Sequence, residues 1–104
     1  MNKIITDKIN EIQRLCKEYR IKTLYVFGSA CSDRFRSDSD IDFLISFDQN
    51  LGIDEYSENY FALHYKLRAL FGREIDIVTE NSLSNPYFIK SVEQTKQLIY
   101  GTKN

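Results

Sequence analysis

The chain has 104 residues, the size of one domain, and 42% of them are hydrophobic and 13% aromatic. That composition can form a compact core, which argues against wholesale disorder. Lys and Arg number 14 against 15 Asp and Glu, giving a formal net charge of −1. The balance argues against a general nucleic-acid binder, which usually has a basic surplus, but allows a small anionic substrate held through a metal. We therefore expect a single domain over residues 1–104.

Several features predict a cytoplasmic protein with free thiols. No apolar run approaches the roughly 18 residues of a membrane span. The first ten residues, MNKIITDKIN, carry charges at short intervals and lack the apolar core of a signal peptide. Cys16 and Cys31 lack metal-ligand spacing, and two cysteines do not form a disulfide scaffold.

The first half of the chain predicts a helix followed by two strands. The helix is indicated by apolar residues at helical spacing, namely Ile5, Ile9, Ile12, Cys16 and Tyr19. The segment IKTLYVF, Ile21–Phe27, is β-branched and aromatic and predicts a buried strand that ends at Gly28. The following GSACSDRF predicts a short helix or turn, and Ser39–Phe47 predicts the second strand.

The second half predicts helix, strand and helix. The long helix ends near Gly72, a typical C-cap residue, and its apolar stripe consists of Tyr56, Tyr60, Leu63, Leu67 and Leu70. Residues 73–80 predict a third strand. Asn85 and Pro86 begin a last helix, which continues to Gly101 through Phe88, Val92, Thr95 and Ile99. The order of elements predicts an α/β (α+β) fold with helices flanking a small mixed sheet.

Two aspartates stand at the start of the second predicted strand. Asp40 and Asp42 project to the same side, about 7 Å apart along the backbone, and an unpaired buried carboxylate is costly. Their partner could be a lysine, water at a solvated sheet edge, or a metal. Two divalent cations about 3.5–4 Å apart would make such a cluster productive in phosphoryl transfer, and Mg²⁺ suits hard oxygen ligands.

A third aspartate occupies the middle of the third predicted strand. Ile75 and Ile77 form the apolar face of that strand, whereas Asp76 and Val78 lie on the other. If the second and third strands are neighbours, Asp76 reaches the same metal site. The alternative is an ion pair between Asp76 and Arg73 or a lysine.

Gly28 and Ser29 form a corner between the first strand and the short helix. Such a corner exposes backbone N–H groups and the positive end of a helix dipole to a phosphate. Gly28 would allow close approach and Ser29 would donate its hydroxyl. Alone, the pair also fits an ordinary turn.

Taken together, Gly28-Ser29, ten intervening residues and Asp40-Ile41-Asp42 resemble the signature of the polymerase-beta-like nucleotidyltransferases. The chain length resembles their minimal prokaryotic members. The resemblance implies that Asp40 and Asp42 bind two Mg²⁺ ions, that Asp76 completes the site and assists deprotonation of the acceptor, and that Gly28 and Ser29 hold the triphosphate. The implied reaction transfers AMP from ATP to a hydroxyl group.

The sequence departs from the family pattern at one place. Ser32 and Asp33 stand where the family often has Arg-Gly, which affects one triphosphate contact and the turn. Arg34 or Arg36 could compensate, but a solvated loop is the simpler interpretation.

The resemblance also implies a partner. Minimal members are often antitoxins, of the type VII-like kind, of HEPN-domain toxins, and several attach AMP to a tyrosine of the toxin. The alternatives are a non-catalytic antitoxin that covers the toxin and transfer to a small molecule. A homo-oligomer stays open.

The remaining features have simpler explanations. His64 fits a core or surface role better than catalysis. The aromatic residues of the long helix, Tyr56, Tyr60, Phe61 and Tyr65, fit a core stripe better than a partner surface. Near the C-terminus, Tyr87, Phe88 and Tyr100 are interface candidates.

Overall fold

The computed structural model describes residues 1–32 and 34–102. Helices and strands alternate along most of this part of the chain. Their order is α1 (Lys3–Thr6), α2 (Ile9–Glu18), β1 (Ile21–Phe27), a 3₁₀ helix (Gly28–Cys31), β2 (Ile41–Phe47), α3 (Ile53–Phe71), β3 (Ile75–Thr79), a second 3₁₀ helix (Glu80–Ser82), α4 (Pro86–Thr95) and β4 (Gln97–Tyr100). None of the helices in these ranges has both the length and the apolar composition needed to span a bilayer.

The four strands form one mixed sheet in the order β3-β2-β1-β4. Strand β1 runs antiparallel to both β2 and β4, whereas β2 and β3 are parallel. The sheet confirms the predicted α/β fold. Its register aligns Phe27 of β1 with Asp42 of β2, and Asp42 with Asp76 of β3.

The larger hydrophobic core lies on the sheet face that α2 and α3 cover. Alternate residues of the central strands point into it, because side chains in a strand alternate between faces. Ile12 and Cys16 of α2, and Leu63 and Leu67 of α3, are fully buried there. Burial raises the pKa of the Cys16 thiol to about 12, so this thiol stays neutral and unreactive.

The opposite face of the sheet carries a smaller apolar cluster and the acidic residues. The cluster contains Val92 of α4 together with Tyr25, Phe27 and Leu44. Asp42 shares this face because it is two residues before Leu44 in the same strand. The face that α4 covers is therefore the one on which any chemistry of the carboxylates takes place.

Side chains of α3 form hydrogen bonds with backbone carbonyls on the outer edge of β3. The Tyr60 hydroxyl donates to the Ile77 carbonyl at 3.0 Å, and His64 Nε2 donates to the Ile75 carbonyl at 2.8 Å. The two bonds flank Asp76 and remove the free carbonyls that an edge strand otherwise exposes. His64 therefore has a structural contact.

The predicted last helix is wrong beyond Thr95. Lys96 is extended, with φ −61° and ψ 140°, and the next four residues form β4 against β1. The Thr95–Ile99 spacing fits a helix, but the free edge of β1 provides ladder hydrogen bonds that a longer helix would forgo. Ile99 is buried in β4, and its carbonyl accepts a bond from the Gln13 side chain at 3.0 Å.

The remaining boundaries differ by a few residues. The predicted first helix is two helices, because Lys8 leaves helical geometry with φ −115° and ψ 10°. Strand β2 begins at Ile41 rather than at Ser39, so Asp40 lies just before it. Strand β1 has the predicted ends. Helix α3 ends at Phe71 and is capped by Gly72, whose φ of 64° is the left-handed conformation of a glycine C-cap.

Candidate active site

Asp42 and Asp76 lie side by side on neighbouring strands. They are register partners in the parallel β2–β3 pair, so their side chains share one face of the sheet. Asp42 is half-buried and Asp76 is exposed. The sequence predicts that Asp76 reaches the site of Asp42 if β2 and β3 are neighbours, and the two strands are paired.

The electrostatics of Asp42 reflect this neighbourhood. Burial, followed by the negative charge of Asp76, a hydrogen bond to Asp76 and the charge of Asp40, raises the pKa of Asp42 from 3.8 to about 6. Like charges at short range disfavour ionisation, as does loss of solvent. The three aspartates therefore interact, and a cation among them would relieve the repulsion.

The chain itself supplies no such cation within residues 1–32 and 34–102. No Lys or Arg in these ranges forms an ion pair with Asp40, Asp42 or Asp76. Arg73 instead donates to the carbonyls of Arg36 and Ser39. The suggested pair between Arg73 and Asp76 is therefore wrong.

The donor set fits Mg²⁺ by its chemistry. All three candidate ligands are carboxylates, which Mg²⁺ prefers, and their mutual repulsion is what a divalent ion would offset. In the described part of the chain, no three acidic, His or Cys side chains are grouped closely enough to hold one ion unaided. Mg²⁺ usually binds through one or two carboxylates together with water and substrate phosphates. The carboxylates of Asp42 and Asp76, with Asp40 nearby, match that mode of coordination.

Gly28 lies directly against the Asp42 carboxylate. A Cβ built on Gly28 would be 2.6 Å from Asp42 Oδ2, and the residue has a φ of 76°. Both the close approach and the left-handed backbone require glycine here. The first residue of the Gly-Ser corner is thus part of the acidic site.

The helix at the Gly-Ser corner is shorter than the predicted segment GSACSDRF, because it is a 3₁₀ helix of four residues. The backbone N–H of Gly28 donates to Thr95 Oγ1 at 2.9 Å. Ser29 is half-buried at the same corner. Thr95 was missed because no local pattern links it to Gly28, 67 residues away.

A pocket of about 330 Å³ opens beside the carboxylates. Asp42 and Asp76 form its polar wall, and Phe27, Phe88 and His64 are among the other lining residues. The rings of Phe27 and Phe88 pack edge to face at 6.0 Å between centroids. The pocket gives a substrate access to the acidic residues from the side of α3 and α4.

Several aromatic residues of α3 and α4 are exposed. Phe61 and Tyr65 of α3 are 68% and 71% exposed, so the interpretation of these two as core residues is wrong. They lie on the outer side of α3, because only Leu63 and Leu67 of that helix are fully turned to the sheet. Tyr87 of α4 is 84% exposed.

The loop between the 3₁₀ helix and β2 contains the departure from the family pattern. Arg34 and Arg36 are exposed, as a solvated loop predicts. Ser32 donates to the Ser29 carbonyl through both its backbone N–H and its hydroxyl, at 3.0 and 3.1 Å. Asp33 lies outside the described residues.

The chain is similar to known proteins in sequence and in fold. A protein of Methanocaldococcus jannaschii named "Putative protein adenylyltransferase MJ1379" is 36% identical over 98 residues, which cover 89% of this chain and 94% of the relative. A solved toxin–antitoxin with AMP-PNP has a chain that matches 91% of this one over 74% of its own length, with 24% identity and a TM-score of 0.69.

A second solved structure is the complex of a tri-AMPylated HEPN toxin of Shewanella oneidensis with MNT antitoxin. One of its chains matches 93% of this chain over 72% of its own length, with 22% identity and a TM-score of 0.63. These two likenesses establish the fold. The family described as "Polymerase beta, Nucleotidyltransferase" matches residues 10–104. The chain therefore belongs to the polymerase beta nucleotidyltransferase family.

Proposed function

We propose that this chain is a Mg²⁺-dependent enzyme that transfers AMP from ATP to a tyrosine hydroxyl of a HEPN-domain toxin. It would act in the cytoplasm as the antitoxin of a type VII-like toxin–antitoxin pair. The observation that carries the proposal is the register pairing of Asp42 with Asp76 beside Gly28.

The residues have distinct roles in the proposed reaction. The acceptor oxygen forms a bond to the α-phosphorus while the bond to the pyrophosphate oxygen breaks, and Asp76, the exposed carboxylate, accepts the acceptor's proton. Gly28 allows the triphosphate to approach and the Ser29 hydroxyl donates to it. Asp40, Asp42 and Asp76 would hold two Mg²⁺ ions, which would supply charge neutralisation for the acceptor oxygen and the leaving pyrophosphate.

A protein acceptor is supported by the relatives and by the surface. The M. jannaschii relative is named for transfer to protein, and a fold relative is bound to an AMPylated HEPN toxin. Phe61, Tyr65 and Tyr87 are exposed on the two helices whose residues line the pocket. Exposed aromatic residues are enriched at protein interfaces.

Co-expression with the product of the adjacent gene tests the proposal. The intact mass of that partner is expected to rise by one or more AMP units with the wild-type chain. Asp42→Asn removes a carboxylate from the site and is expected to reduce transfer by more than about a hundredfold. The matched control is Asp48→Asn, because Asp48 is an exposed aspartate paired with Arg20 at 3.8 Å. Equal transfer by the Asp42 variant would refute the mechanism.

A second candidate function is neutralisation by binding alone. It is favoured by the bond between the Gly28 N–H and Thr95, which occupies one donor of the Gly-Ser corner. In this case the Asp40→Asn, Asp42→Asn double variant still rescues cells that express the toxin. Loss of rescue by a folded double variant that binds the toxin would exclude this candidate.

A further inference from the structure

Arg73 connects the start of β3 to the loop that leads into β2. Its Nη1 donates to the carbonyls of Arg36 and Ser39, both at 3.0 Å. Its guanidinium carbon lies 4.6 Å from the centroid of the Phe35 ring, the distance of a cation–π contact. One side chain therefore contacts three residues, Phe35, Arg36 and Ser39, of a segment that has no regular secondary structure.

The segment also has its own hydrogen bonds, and they lie on either side of Asp40. The Arg36 N–H donates to Ser39 Oγ at 2.9 Å, and the Ile41 N–H donates to the Glu74 carbonyl at 3.2 Å. The residue between these anchors is Asp40, which is exposed and precedes the first residue of β2. Besides the Arg73 contacts, the bond at Ile41 ties this end of the loop to Glu74, the residue before β3.

We infer that Arg73 is a positioning residue that fixes Asp40 for cation binding by holding the carbonyls of Arg36 and Ser39. The inference rests on the proposed function, because it concerns the same carboxylates. In this inference, Arg73 holds the loop that follows Ser32 and Asp33, the two positions at which the family often has Arg-Gly. A planar guanidinium places two N–H groups of one nitrogen toward two carbonyls in a fixed geometry, whereas the donors of a lysine ammonium rotate freely.

The direction in which Arg73→Ala changes the affinity for divalent cations distinguishes a positioning role from a simple effect of charge. Removing a cation next to an acidic cluster makes the local potential more negative, so charge alone predicts that Arg73→Ala binds divalent cations more tightly. Positioning predicts the opposite, because Asp40 loses its fixed place. Groups that orient metal ligands typically contribute about 10- to 100-fold in affinity.

The experiment is a Mn²⁺ titration followed by electron paramagnetic resonance, with a non-hydrolysable ATP analogue present. Arg73→Ala is expected to weaken Mn²⁺ binding about tenfold, and Arg73→Lys is expected not to restore it, since an ammonium group lacks the planar fork. The control is Arg68→Ala, because Arg68 is an exposed arginine that pairs with Glu74 at 2.7 Å. Unchanged or tighter binding by both Arg73 variants would overturn the inference.

Hydrogen–deuterium exchange of residues 34–41 provides a measurement that needs no metal. Faster exchange at the Arg36 and Ile41 amides in Arg73→Lys, but not in Arg68→Ala, is expected if Arg73 holds the loop. Equal exchange in all three proteins contradicts the inference. Failure of wild-type protein to bind Mn²⁺ would instead contradict the proposed function, so the two ideas fail in different measurements.

Discussion

At Asp42, the same surroundings that suit a cation make the ionised carboxylate costly when no cation is bound. Burial is the largest cause of its pKa of about 6, ahead of Asp76 and Asp40. An acid whose pKa is higher in the native state than in the unfolded chain binds its proton more tightly when folded. The resulting penalty is absent below pH 3.8, grows between pH 3.8 and 6, and is complete above that range.

Asp42→Asn should therefore stabilise the metal-free protein at neutral pH. The asparagine keeps the shape of the protonated aspartate, so the gain should be near zero at pH 4 and reach about 1–2 kcal/mol at pH 7 after allowance for solvent screening. Urea unfolding of wild type and variant at several pH values, with a chelator present, measures the difference. A difference that does not vary with pH would contradict this account.

The parts of the site that the sequence predicts are those with a local signature. Asp42 and Asp76 stand out because each interrupts an apolar strand, and Gly28 because it ends one. Thr95 has no such mark, since its bond to Gly28 exists only after α4 has packed on the sheet. Arg73 comes three residues before a strand aspartate, Asp76, yet its bonds go to a loop 34 and 37 residues away.

Among the elements, β4 shows where sequence periodicity is insufficient. Its four residues pair with β1, and Gly101 follows with a φ of 94°. Short apolar segments fit a helix and a strand equally well, so the sequence could not decide between them. The well-predicted elements, β1 and α3, are longer and have a glycine at the end, which gives a boundary as well as a period.

Gly101 should be essential for the pairing of β4 with β1. A Cβ on this residue would collide with the Lys22 carbonyl oxygen and press on Thr23. With the left-handed φ added, Gly101→Ser is expected to destabilise the protein by about 1–3 kcal/mol. The free energy of unfolding in urea measures this.

The matched control for that change is Gly52→Ser. Gly52 is the N-cap of α3, with a φ of −71°, and a Cβ there would have no heavy atom within 4 Å. Serine is a better N-cap than glycine, so the variant should be as stable as wild type or slightly more so. Equal effects of serine at positions 52 and 101 would mean that β4 contributes little to stability.

At the scale of the molecule, two hydrophobic clusters depend on one sheet. Leu44 belongs to the smaller cluster under α4, whereas its neighbours Phe43 and Ile45 belong to the larger one under α2 and α3. Neither cluster can lose its strands without exposing the other. The acidic residues share the smaller cluster's face, so the geometry of the site depends on the folding of the whole.

The shared sheet leads to the prediction that residues 1–104 unfold as a single cooperative unit. Leu63→Ala in the larger cluster should cost about 2–5 kcal/mol, as buried leucines generally do. Val92→Ala in the smaller cluster removes two methyl groups and should cost about 1–3 kcal/mol. Each should lower the urea midpoint of one transition, with an unchanged slope, whether it is followed by helical circular dichroism or by tyrosine fluorescence. A separate early transition in Val92→Ala alone would show instead that α4 and the acidic face fold independently of the larger core.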